Sequence, residues 1–163
     1  MISISIVMPA SISLRERGMD METYRQMQAR HQKEMNDFPI AFAYNEKQFN
    51  DGMNKLGLDP SETDKIVSVF YGAFIRKEDH SALMEMFERH TREERDAFVR
   101  NEDDWAYHAF RYELANHEFS YTNDYEPALE ACGFTLEELK QYPDLVVSFR
   151  RAMRDGMNND DEE

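Results

Sequence analysis

The stretch "NEDDWAYHAFRYELANHEF", residues 101 to 119, twice places an acid four residues before a histidine, with Arg111 as its one basic residue. The pairs are Asp104 with His108 and Glu113 with His117. Carboxylate and imidazole one helical turn apart are the raw material of a metal site or of an acid–base pair. At about 100° per residue the two pairs stand roughly 180° apart on a helix. One helix therefore cannot turn both toward one ion, and each pair alone brings two ligands where zinc takes three or four. Glu113 and His117 fall between Ala106 and Phe110 on an apolar flank. They are expected as a partly buried pair with perturbed protonation, or as an ordinary i,i+4 surface pair.

No other constellation points to a reaction. His31, His80 and His90 are scattered along the chain, and none stands in an H-E-x-x-H spacing. There is no G-x-S-x-G, no phosphate-loop lysine motif and no G-x-G-x-x-G. Cys132 is the single cysteine, which excludes an intramolecular disulfide and a thiolate zinc cluster, suits a reducing cytoplasm, and fits a small buried residue. In "FYGAFIRKEDH", Arg76 and Lys77 at a helix entry offer an anion contact, or simply keep an edge strand soluble. No cofactor, no metal and no catalytic residue are expected. The alternative is a small metal-dependent enzyme that joins Glu113 and His117 to His31 or His90 from other helices.

What remains is acid, and its placement matters more than its amount. The 163-residue chain carries a net charge of −14. Residues 101 to 138 hold ten acids and one base, residues 155 to 163 hold five acids and no base, and everything else balances. Such a layout repels nucleic acid and anionic membrane and attracts basic surfaces. Duplex DNA presents one negative charge per about 1.7 Å, which its protein partners meet with Lys and Arg. A rigid helical surface bearing Asp103, Asp104, Glu113, Glu118, Asp124, Glu126 and Glu130 would compete for such a basic groove. Trp105, Tyr107, Tyr121 and Tyr125 are the candidate anchors, because aromatic residues dominate interface energetics. The plain alternative is an interaction module whose acidity serves solubility alone.

The elements that must position these residues can be read from periodicity. Helical spacing predicts a helix from an Asp20 cap through Met35, a strand in "FPIAFAYN", and a short helix in "EKQFNDGMNKLG" closed by Gly57. "DKIVSVF" and "AFIRK" around Tyr71 and Gly72 predict a hairpin that joins the first strand. Leu83, Met86, Phe87, His90, Ala97 and Phe98 mark one face of a long helix from Asp79 to about Arg100. A helix over 102–118 comes after it, then a short one capped by Asp124 and ending at Gly133. A capping box at Thr135 and Glu138 comes next, and then a last helix from Pro143. The expected fold is α+β: a small antiparallel β-α-β-β sheet with a mostly helical C-terminal half, one domain over 19–154. Residues 1–18, which open with "MISISIVMPASISL", are expected as a disordered leader or weak strand, with translation beginning at Met19 or Met21 as a further option. Residues 155–163 are expected as a disordered acidic tail.

The runs "NDFPIAFAYNEKQFNDGMNKLGL", "DPSETDKI", "GAFIRKEDH" and "FRYELANHEFSYTNDYEPALEACGFTLEEL" resemble a family of small acidic uncharacterised proteins of gut Firmicutes, their phages and mobile elements. The likeness covers about residues 23 to 140. Members are glycine-rich just before the "FIRK" run, where this chain has Phe70-Tyr71-Gly72-Ala73. The resemblance carries no catalytic residues. It implies, by analogy with small acidic inhibitors on mobile elements, an anti-CRISPR-like protein of the bacterial cytoplasm that mimics nucleic acid. The partner would be the basic channel of a CRISPR or other defence nuclease, with no direct nucleic-acid or membrane contact.

Overall fold

The computed structural model describes residues 21–158; the expected leader, the Asp20 cap and residues 159–163 of the tail lie outside them. The order is α1 (Tyr24–Asp37), β1 (Ala41–Phe42), α2 (Glu46–Lys55), β2 (Ile66–Phe70), β3 (Ala73–Arg76), α3 (His80–Arg100), α4 (Trp105–Asn116), α5 (Phe119–Thr122), α6 (Glu126–Ala131), α7 (Leu136–Leu139) and α8 (Pro143–Asn158). This is the expected α+β class, with a three-stranded antiparallel sheet in the order β1-β3-β2.

Two apolar lobes result. In the sheet lobe, side chains alternate between the two faces as strand geometry requires. Ala41, Phe74, Met53 and Leu56 pack under α2, while Ile40, Ala73, Ile75, Leu83 and Met86 pack on the other face with α3. The helical lobe is built around Phe98, Phe110, Leu114, Leu129, Phe134, Leu145 and Phe149. Its aromatic rings meet edge to face, as Phe98 does with Trp105 and with Phe134 at 5.0 Å each.

Helices α1 and α3 run through both lobes and join them. Tyr24 and Met27 of α1 share a cluster with Ala97 and Phe98 of α3, and Met35 with Leu83 and Met86. The N-cap of α1 is Thr23 in a capping box with Gln26.

Three boundaries differ from expectation. The helix expected over 102–118 begins only at Trp105, because Asn101, Asp103 and Asp104 adopt left-handed backbone at φ 45°, 53° and 61°. Asn and Asp tolerate that region best, and Asn101 Oδ1 accepts from the Ala106 amide to cap the new helix. The same helix stops at Asn116, and Glu118 takes φ 55° before α5, which periodicity had merged into its neighbour. Finally, residues 155–158 of the expected disordered tail belong to α8: Asp155 accepts from the Tyr107 hydroxyl at 3.0 Å, which anchors the last turn.

Candidate functional site

The nine sequence-predicted contact residues divide into three groups. The first is interior. Trp105 is buried, its ring against Phe98 and Tyr24 and its Nε1–H donating to the Glu22 carbonyl at 2.8 Å. Glu113 is also buried; it accepts from the Tyr24 hydroxyl at 2.7 Å and from Asn116 Nδ2 at 3.3 Å, with His117 Nε2 at 3.4 Å. Neither can serve as the surface contact expected of it. Both lie on the side of α4 that faces the aromatic core, so covering that face with α1 removes them from solvent.

The second group is neutralised. Arg151 of α8 pairs with Asp104 at 3.0 Å and lies 4.0 Å above the Tyr107 ring, while the Tyr107 hydroxyl is spent on Asp155. Asp103 lines a cleft of about 380 Å³ with Glu102, His108 and Met21.

The third group is an exposed acidic face. Glu118 stands between α4 and α5, Asp124 precedes α6, and Glu126 and Glu130 lie one turn apart on α6. Asp124 accepts from the Glu126 amide at 3.0 Å, which fixes the α6 entry. None of these four carboxylates makes an ion pair among the described residues. Tyr121 beside them is 81% exposed. Under Glu126 and Glu130 runs a groove of about 230 Å³ lined by Tyr125, Leu129, Phe134 and Leu136. This combination of an apolar floor and unpaired carboxylate rim fits the stem and head of a Lys or Arg side chain.

A second constellation has no counterpart among the sequence expectations. Where α1 crosses α3, the His31 and His90 rings stack with centroids 3.8 Å apart and planes at 12°. His31 Nε2 meets Glu93 and His90 Nε2 meets Glu34, each at 2.8 Å. Arg30 bonds Glu22, Glu34 and Glu93; Arg89 bonds Glu34 and Glu93. Hydrogen bonds from Arg89 and His90 hold Glu34 down at about 2. Partial burial pushes Glu93 the other way, but bonds from His31 and Arg30 outweigh it and hold it too at about 2. Both carboxylates are therefore acceptors only, and each facing Nε2 carries the hydrogen. The signal is present in the chain as a repeated word, Arg30-His31-x-x-Glu34 and Arg89-His90-x-x-Glu93. Its meaning needs the antiparallel crossing that brings the two copies together.

The ligand set of the metal alternative is not brought together: His31 and His90 bond to Glu93 and Glu34, while His117 meets Glu113. Among the described residues no group of three or more His, Cys, Asp or Glu is placed to hold a metal ion. Near Glu113, burial and then that neighbour's charge push Glu94 up to about 7. Burial first, and then Glu113 and Glu94, push the Cys132 thiol well up, so it is a poor nucleophile.

Residues 23–155 match a family described as a family of unknown function, DUF7659. The chain belongs to this family. No curated protein and no solved structure matches it. Among the described residues no helix is long and apolar enough to cross a membrane.

Proposed function

We propose that this DUF7659 chain is a non-enzymatic binding protein that takes a basic protein surface on its α5–α6 face. In the finer reading that surface is the nucleic-acid channel of a defence nuclease, CRISPR effectors foremost. The chain would then act as a mobile-element inhibitor in the cytoplasm of a bacterial host, imitating the phosphates the channel normally holds. The observation that carries the reading is the set Glu118, Asp124, Glu126 and Glu130. These carboxylates are exposed and, among the described residues, without an ion pair, gathered on one face beside the exposed Tyr121. Arg151, bonded to Asp104 and stacked on Tyr107, illustrates within the same chain how an aromatic-carboxylate pair accepts a guanidinium. Glu118 in the left-handed region adds support. Glu has no intrinsic preference for that conformation, whose cost is roughly 1–2 kcal/mol, and strained residues concentrate at binding sites.

The test is titration of the purified chain against a panel of nucleases, Cas9-type effectors included, at rising salt. A complex that weakens steeply with salt is expected, together with loss of nuclease activity. The variant Glu118→Lys, Asp124→Lys, Glu126→Lys should weaken binding by about a hundredfold and flatten the salt dependence. Unchanged inhibition by this triple variant would reject the acidic face. A module whose acidity serves solubility alone would show no salt-sensitive complex at all.

A further inference from the structure

The sheet lobe carries a surface feature that the acidic face does not use. Phe42 of β1 and Phe70 of β2 flank Ala73 on the central strand, paired with it in register from either side. Their rings stand 6.1 Å apart on either side of the buried Ala73. Beyond them Tyr44 and Tyr71 form a second ring pair at 5.9 Å. The turn that sets this spacing is Tyr71–Gly72. Gly72 has φ +74°, and a Cβ there would lie 2.6 Å from the Tyr44 ring, so only glycine lets that ring settle on the turn.

All four rings remain exposed, from 39% for Phe70 to 89% for Tyr71. At about 150–250 Å² per aromatic side chain, the two pairs together present on the order of 500 Å² of ring surface. That is at the upper end of what a monomer leaves uncovered, and well over half of the roughly 800 Å² per partner that a stable interface buries. The patch continues the apolar sheet face formed by Ile40, Ala73 and Ile75.

We infer that a second copy of this chain covers the patch, in a two-fold dimer formed through the sheet lobe. Charge selects this occupant. Residues 38 to 77 hold five acids and five bases, so the lobe is neutral in a chain of net charge −14. It offers no net charge to a basic partner, and two copies can meet through it without net repulsion. Shape supports the same choice. Beside Phe42, between β1 and α2, lies a groove of about 260 Å³ lined by Ala41, Phe42, Gln48, Asp51, Gly52 and Lys55, its acid and its base balanced. A projecting Tyr71 and a groove on one lobe are the two halves of an isologous contact, in which each copy inserts its ring into the other. The acidic α5–α6 face stays outside the interface.

Sedimentation of the full-length chain from micromolar to millimolar concentration tests this. A monomer–dimer equilibrium is expected, and higher salt should tighten it by screening repulsion between two negative chains. That is the opposite salt response from a complex on the acidic face, so the two readings fail separately. Tyr71→Ser with Phe42→Ser should raise the dissociation constant by about a hundredfold. Tyr71→Ser alone, which leaves Phe42 and Phe70 in place, should raise it by about tenfold with an unchanged circular dichroism spectrum. Tyr121→Ser should leave it unaltered. A wild-type chain that stays monomeric throughout overturns the proposal, as does a dimer indifferent to both Tyr71 variants.

Discussion

Two regions of this molecule are dense in carboxylates and use them in opposite ways. At the α1–α3 crossing, Glu22, Glu34 and Glu93 face Arg30, Arg89, His31 and His90, and every one of these carboxylates has a cationic or imidazole partner. Along α5 and α6, Glu118, Asp124, Glu126 and Glu130 face solvent and, among the described residues, pair with no base. The crossing lies between two apolar lobes, and its side chains are only about a third exposed, so an unpaired charge there is less well solvated than one on the open surface. Its antiparallel repeat lets each Arg-His word serve the glutamate of the other helix. Sliding one helix past the other by a turn would leave both glutamates without their cross-helix partners, so the layer fixes register as a buried polar position does in a coiled coil. The α5–α6 face is under no such constraint, and its carboxylates cost the fold little. Acidity counted along the chain therefore says nothing of availability; the pairing decides it.

The largest expected effect sharpens this contrast within the crossing itself, where Glu93 and its neighbour Glu94 are pushed in opposite directions. Glu94 turns toward Gln28 and the charge of Glu113, and burial holds its proton up to about 7 against an ordinary 4.5. The folded chain binds this proton more tightly than the unfolded chain, so stability falls as pH rises from 4.5 through about 7. Glu94→Gln should therefore stabilise the protein by up to about 3 kcal/mol at pH 8 and by nothing below its ordinary value, as urea denaturation at the two pH values would read. A gain independent of pH would contradict the assignment.

Breaking the layer comes next. Glu93→Ala leaves Arg30 and His31 short of an acceptor and should cost about 2 kcal/mol, measured as a lower denaturation midpoint with unchanged slope. A loss below half of that would mean solvent already satisfies the crossing. Acid should then dissolve what remains. Glu34 and Glu93 are held at about 2, below the ordinary 4.5, so their contribution is intact above 4.5 and disappears as pH falls toward 2. Because both are about a third exposed, roughly 1 kcal/mol each is expected after screening, seen as a fall in melting temperature that the double variant Glu34→Gln, Glu93→Gln does not show. The smallest effect belongs to the other region. Glu126→Gln with Glu130→Gln should change stability by less than about 0.5 kcal/mol at any pH, while still weakening a basic partner. A destabilisation comparable to that of Glu93→Ala would place those carboxylates in the fold rather than at an interface.

Much of this architecture could be read from the chain, and the exceptions are physical. The hairpin around Tyr71 and Gly72, the long third helix and the Thr135–Glu138 capping box each rest on local rules that act within a few residues. Periodicity predicts one helix over 102–118 because it is blind to left-handed residues: Asp103, Asp104 and Glu118 fit the wheel but not the backbone. The apolar flank between Ala106 and Phe110 already marks Glu113 for burial beside His117, whereas nothing local says that α1 will cover Trp105.

The sequence by itself determined the fold class, the capping box of the seventh helix and the uneven spread of acid along the chain. All of these depend on propensity, short-range hydrogen bonding and composition. Only the tertiary structure decided which acids are sheltered. Arg151 reaches Asp104 across 47 positions, and Glu34 reaches Arg89 and His90 across more than fifty. A charge's partner is chosen by which helices cross, and such crossings are set by apolar faces rather than by the charged residues themselves.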